Sequence, residues 1–183
     1  MSVYVVADAN FGFSENRDKT IIERWNRVVK EGDLVVLFGD IGYKGTSWEH
    51  LVLTFNKLHG TKKIIGVDKN DPEAENWRAL TGKKCFKMNG AVPGEIDGKS
   101  CVIVIYTSKD YFPSIKELKN NGVLCASAKS ISGQKEVFEN NVLSLSIEDW
   151  DYTPIEYVKI SELVDNMILF SKMENEEVNL NEN

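Results

Sequence analysis

The sequence predicts an α/β domain whose first half is a parallel sheet. Two short runs rich in β-branched and apolar residues, 3–8 and 34–39, alternate with two stretches of helical periodicity, 17–31 and 47–58. Both strand runs are apolar almost throughout, the pattern of strands covered on both faces. Glycines follow the helical stretches (Gly32, Gly60) and carboxylates close the strands (Asp8, Asp40). Strands joined through helices pair in parallel, because each crossover returns the chain to the same end of the sheet.

In chain order, Val3-Tyr4-Val5-Val6-Ala7-Asp8 is the first strand, and Ile21, Ile22, Trp25, Val28 and Val29 then recur at helical spacing. Leu34-Val35-Val36-Leu37-Phe38-Gly39 is the second strand. From Ser47 to Leu58, Leu51, Val52, Phe55 and Leu58 share one face. Ile64-Ile65-Gly66 is a short third strand, and Asp71-Pro72 opens a third helix with a capping carboxylate and a first-turn proline. Strands dominate beyond residue 84. Asp97-Gly98 marks a hairpin into Cys101-Val102-Ile103-Val104-Ile105. A short helix is expected at 114–120, with strands near 122–126, 135–138 and 141–147. A last helix starts at Ser161, with Leu163, Met167 and Phe170 on one face. Residues 1–172 make one domain, and the acidic, asparagine-rich 173–183 read as a disordered tail.

Composition narrows the function. A chain of 183 residues can build one core without staples. It contains no apolar run near the roughly 20 residues that span a bilayer. Its first residues lack a basic leader, so a cytoplasmic protein is expected. Cys85, Cys101 and Cys125 are odd in number and form no CxxC pair, as befits buried, reduced thiols. The net charge of −6 and the lack of any basic block argue against nucleic acid as a partner. Only two histidines occur, His50 and His59.

Ligands of open α/β sheets bind beyond the carboxyl ends of the strands. Asp8, Asp40 and Asp68 fall there, with the Asn10 amide beside them. Such oxygens suit Mg²⁺ or Mn²⁺. They equally suit helix capping or solvation.

At these residues the chain resembles a known family. Asp8-Ala9-Asn10-Phe11-Gly12-Phe13 is similar to the D-x-H-F-G-H opening of the calcineurin-like metallophosphoesterases, in the small form common in phages and bacteria. Trp25-Asn26, Gly39-Asp40 and Leu58-His59-Gly60 resemble that family's W-N, G-D and L-N-G elements, in order. Gly66-Val67-Asp68-Lys69 stands where the family has G-N-H-D. Asn141-Val142 and Trp150-Asp151-Tyr152-Thr153-Pro154-Ile155 are similar to its closing stretch.

The resemblance implies a four-layer α/β/β/α sandwich with mixed sheets. In active members, two metal ions held by aspartates, an asparagine and histidines activate a bridging hydroxide. Asp8 and Asp40 match two of those ligands, whereas Asn10 and Phe13 replace histidines. Val67 replaces the ligand asparagine, and Asp68 replaces the histidine that would protonate the leaving group. Ile105 or Tyr106, and Ala126 and Ala128, stand where further histidines belong. No catalytic residue and no resident cofactor is therefore expected. Asp8, Asn10, Asp40 and Asp68 would be a vestigial site, holding at most one weakly bound Mg²⁺ or Mn²⁺. The expected function is that of an inactive relative that binds a protein partner, such as a phage-encoded modulator of a bacterial host protein. The alternatives are a residual single-metal phosphoesterase or nucleotide hydrolase and a nucleotide-binding sensor.

Phe11, Phe13 and Tyr43 lie in loops at the mouth of this site and are the interface candidates, unless they plug the emptied cleft. Trp25, Trp48, Trp77 and Trp150 are expected in the core. Ser127, Lys129 and Ser130 lack the context of a nucleophile. Gly39 to Gly45 lacks Walker A spacing.

Overall fold

Val3–Ala7 (β1) and Leu34–Phe38 (β2) pair in parallel with Val5 opposite Val36, and they form the centre of the first sheet. The computed structural model describes residues 1–65, 76–77, 90–105, 123–126 and 142–181. Thr61–Ile64 (β3) adds in parallel to β2, and Ile155–Glu156 (β8) adds antiparallel to β1, giving the order β3-β2-β1-β8. The second sheet runs β4-β5-β6-β7, from Gly90–Ile96, Lys99–Ile105, Val123–Ala126 and Val142–Ser144. Its first pair is antiparallel and the rest is parallel. The fold is mixed α/β, and the helices whose full length lies among the described residues are Glu15–Val28 (α1), Trp48–Phe55 (α2) and Tyr157–Asn181 (α3).

The apolar runs of β1 and β2 are explained by what covers them. Tyr4, Val6, Val35 and Leu37 join a core with Ile21 and Trp25 of α1 and Leu51 and Phe55 of α2. Val5, Ala7 and Phe38 join another, with Leu143, Leu145, Ile155 and Ile160, Val164 and Met167 of α3. Alternate residues of each strand therefore meet apolar surface on opposite faces. Trp25 and Trp77 are fully buried, and Trp48 and Trp150 are half-buried.

Several boundaries differ from expectation. The third strand lies at Thr61–Ile64, where two lysines mask it. Lysines are tolerated there because β3 is an edge strand. Lys62 donates to the carbonyls of Leu58 and Gly60, and burial holds its ammonium below the usual lysine range. Two-residue β8 is too short to show a period. The last helix starts at Tyr157 rather than Ser161, and it continues through Asn181. The stretch expected as tail is thus helical backbone for most of its length, since Met173, Glu174, Glu176, Glu177 and Leu180 prolong a helix already started. The hairpin is as expected: Asp97 and Gly98 have φ of 48° and 79°, both in the left-handed region. The Tyr157 hydroxyl lies 3.2 Å from Asp97 Oδ1 and ties that turn to the start of α3. The 114–120 helix, the 135–138 strand, Asp68 and the Ser127–Ser130 run lie outside the described residues.

Candidate functional site

The loops that follow β1 and β2 continue the pairing of their strands. Asp8 N–H donates to Phe38 O (3.2 Å), Asn10 N–H to Asp40 O (2.9 Å), and Phe11 N–H to Ile41 O (2.9 Å). Tyr43 N–H returns a bond to Phe11 O at 2.8 Å. Asp8 and Asp40 are thereby brought together, and Asp8 Oδ1 accepts the Asp40 amide at 3.1 Å. Asp8 and Asn10 are buried, Asp40 is half-buried, and Asp8 and Asn10 have φ of 52° and 47°. Apart from glycine, residues with short polar side chains tolerate that left-handed backbone best. Here Asn10 Nδ2 donates to Asp8 O at 3.0 Å, the local bond that makes it tolerable.

A buried arginine holds this loop from behind. Arg17 Nη1 donates to the carbonyls of Ala9 and Asn10, the latter at 3.0 Å, and Nη2 pairs with Glu148 Oε1 at 3.0 Å. Its guanidinium carbon lies 5.9 Å from the Phe13 ring centre and 5.4 Å from that of Tyr152. The planar fork of the guanidinium thus serves the main chain of the first loop and the Glu148 carboxylate at once. Its neighbour Asp18 is also buried. The Asp18 carboxylate accepts the Gly12 amide (2.9 Å to Oδ2) and holds His50 Nε2 at 2.7 Å, so it ties α1, the first loop and α2 together.

Helix α1 explains how two charges come to be buried. Ser14 caps it, with Oγ accepting the Arg17 amide, and Glu15 and Asp18 occupy the first turn, where the helix dipole favours acids. Arg17 and Asp18 share the buried face of Ile21 and Trp25. Charged residues on the apolar register of a helix are the sequence signal of such burial.

The three aromatic candidates separate. Phe11 is 0% exposed and packs edge-on to Phe55 at 5.8 Å, so it is core and not an interface residue. Phe13 (54%) and Tyr43 (40%) are exposed, and they contact each other edge-to-face at 4.9 Å. Main-chain pairing forces this split, because the Phe11–Gly42 bridge turns Phe11 inward.

The other motif residues contact one another. Trp25 Nε1 donates to His59 O (3.0 Å), Asn26 Nδ2 to Lys57 O (2.7 Å), and His59 N–H to Asn26 Oδ1 (2.8 Å). Trp25-Asn26 and Leu58-His59-Gly60 thus lock α1 to the turn before β3. Asp151 pairs with Arg24, and Trp150 Nε1 donates to Ser144 O at 2.8 Å. The closing stretch therefore clasps α1 through Glu148, Asp151 and Tyr152. His50 bonds Asp18, while His59 lies near Val29 O and Glu31, so neither imidazole bonds the strand-end carboxylates. Asp8, Asn10 and Asp40 come together; the position of Asp68 lies outside the described residues.

No family model and no curated protein matches the chain. Among solved structures, it is similar to a protein of unknown function from Aquifex aeolicus, at 16% identity and a TM-score of 0.64. That match covers 89% of this chain and 99% of the other. The likeness shows a shared fold. An archaeal phosphodiesterase matches at 16% identity and a TM-score of 0.48, over 80% of this chain and 84% of its own. No helix among the described residues is long and apolar enough to cross a membrane.

Proposed function

We propose that this chain is a degenerate relative of the metallophosphoesterases that has lost turnover and acts by binding another protein, its sheets stacked as a four-layer α/β/β/α sandwich. The observation that carries the reading is the exposed Phe13–Tyr43 pair on loops anchored by buried Arg17. Preorganised aromatics of this kind are effective interface anchors, because little rotamer freedom is lost on binding. The resemblance to small phage and bacterial members makes a phage-encoded modulator of a bacterial host protein, working in the host cytoplasm, the favoured role.

Loss of turnover is supported by the donor set. Asp8, Asn10 and Asp40 lie together at the strand ends, where Asp8 Oδ1 accepts the Asp40 main-chain amide and Asn10 Nδ2 donates to the Asp8 carbonyl, and both histidines are bonded elsewhere. By their chemistry these oxygen donors suit at most one hard cation, and without imidazoles they do not suit the two-ion centre that would activate water and stabilise a phosphoryl transition state. The second reading, a residual single-metal phosphoesterase or a nucleotide sensor, is favoured by the placement of Asp8, Asn10 and Asp40 on neighbouring strand ends.

Thermal unfolding with and without Mn²⁺ or Mg²⁺ separates these readings. An ion at a hundredfold excess over Kd stabilises by about 2.7 kcal/mol. The expected result is no shift and no hydrolysis of a generic phosphodiester, together with a bacterial protein captured by the wild type and lost with Phe13→Ala/Tyr43→Ala. A shift that disappears in Asp40→Ala, accompanied by turnover, would overturn the proposal.

A further inference from the structure

We propose that the outward face of α3 is a docking surface for a basic partner protein, one with an apolar-floored groove rimmed by lysine or arginine. This rests on the reading that the chain acts by contact, but it uses a surface other than Phe13 and Tyr43. Ile160, Val164 and Met167 seat the helix on Ala7, Leu143, Leu145 and Ile155. At 3.6 residues per turn, Val158, Glu162, Asp165, Leu169 and Met173 fall within about 80° of arc on the other side. All five are exposed. Val158, Leu169 and Met173 are 60%, 57% and 51% exposed, large apolar groups that internal packing does not use. Leu169 and Met173 stand one turn apart, with Val158 three turns earlier. The stripe is about 23 Å long, and Leu169 and Met173 have the i, i+4 spacing of anchors in helix-in-groove recognition.

Charge selects the occupant. Both ionisable residues of the stripe are acidic, and they sit between its apolar anchors. Lys159 lies over the Trp150 ring at 5.2 Å, and Lys172, one residue before Met173, is the base that flanks the stripe, outnumbered by its acids. Beyond Met173 the sequence adds Glu174, Glu176 and Glu177. A second copy of α3 would set these acids against each other, and an anionic membrane would repel them. A basic groove pairs with them.

The test uses the full chain and a dye-labelled amphipathic helix of leucine and lysine, about 18 residues long to match the stripe. Fluorescence anisotropy should report binding that weakens at least tenfold in Leu169→Ser/Met173→Ser and, separately, in Glu162→Lys, and that weakens with added salt. Phe13→Ala/Tyr43→Ala should leave it unchanged, which separates this surface from the aromatic pair. Circular dichroism checks that each variant keeps its helix content and melting point. Affinity within threefold of wild type in both α3 variants, or no binding near ~100 μM, overturns the proposal. So does a dimer in analytical ultracentrifugation that Leu169→Ser/Met173→Ser dissolves. Cosedimentation with phosphatidylserine vesicles that the same variant abolishes would likewise overturn it.

Discussion

Replacing Arg17 by methionine tests whether the strand-end loop is held mainly by hydrogen bonds to its main chain. Methionine keeps the apolar stem and deletes the guanidinium. The buried carbonyls of Ala9 and Asn10 then lose their donor, at about 1–3 kcal/mol each. Glu148 is 40% exposed, so water screens it and the lost ion pair adds under about 1 kcal/mol. The contacts with the Phe13 and Tyr152 rings contribute about 0.5–1 kcal/mol apiece, which sulfur–aromatic contact partly restores. The expected loss is about 3–5 kcal/mol, against under about 1 kcal/mol for Glu148→Gln. Arg17→Lys should fall between, because an ammonium lacks the planar fork that reaches both carbonyls and the carboxylate at once. Urea titration followed by tryptophan fluorescence and far-UV circular dichroism measures all three at unchanged m. If Arg17→Met costs under about 1 kcal/mol, or if Glu148→Gln costs as much, the carbonyl bonds are not what holds the loop.

Other expectations concern the same loops. Phe11→Ala should cost about 3–5 kcal/mol in urea titration, whereas exposed Phe13→Ala should stay within about 0.5 kcal/mol. Equal losses would mean that the inward and outward assignments are wrong. Gly12 has φ +90°, and a Cβ there would meet Thr46 Oγ1 at 2.2 Å, so Gly12→Ala should cost about 2–4 kcal/mol. Adding Thr46→Ala should recover part of this and leave the backbone share. Asp33 accepts the Lys30 amide (2.9 Å) and the Ser2 amide (2.7 Å), and these bonds hold its carboxyl below the usual range. A depressed folded-state pKa stabilises fully above the unfolded value, about pH 4, and the gain is lost as pH falls through the folded value. Asp33→Asn should therefore lower the melting temperature at neutral pH and narrow its gap to wild type below about pH 4. A gap that widens on acidification would contradict the sign.

The motif elements were legible as words before their meaning was. Trp25-Asn26 and Leu58-His59-Gly60 stand more than thirty positions apart, yet the structure makes them a single hydrogen-bonded joint. Asp8, Asn10 and Asp40 were legible as a group because strand ends of a parallel sheet open on one edge. Arg17, Asp18, His50 and Glu148 were not. Each reads locally as a solvated charge or an ordinary helical residue, and only the neighbours that meet it distinguish the two cases.

The division between sequence and structure follows the range of the forces. The parallel pairing of β1 with β2, helices α1 and α2 and the Asp97-Gly98 hairpin were determined by the sequence alone, because side-chain periodicity, caps and turn residues act within a few positions. The tertiary structure alone decided that Phe11 is core while Phe13 is surface, and that Arg17 pairs with Glu148, 131 positions away. It also decided that α3 continues past its packed turns. Burial and ion pairing depend on which distant segments arrive at the same place, and no local pattern carries that information.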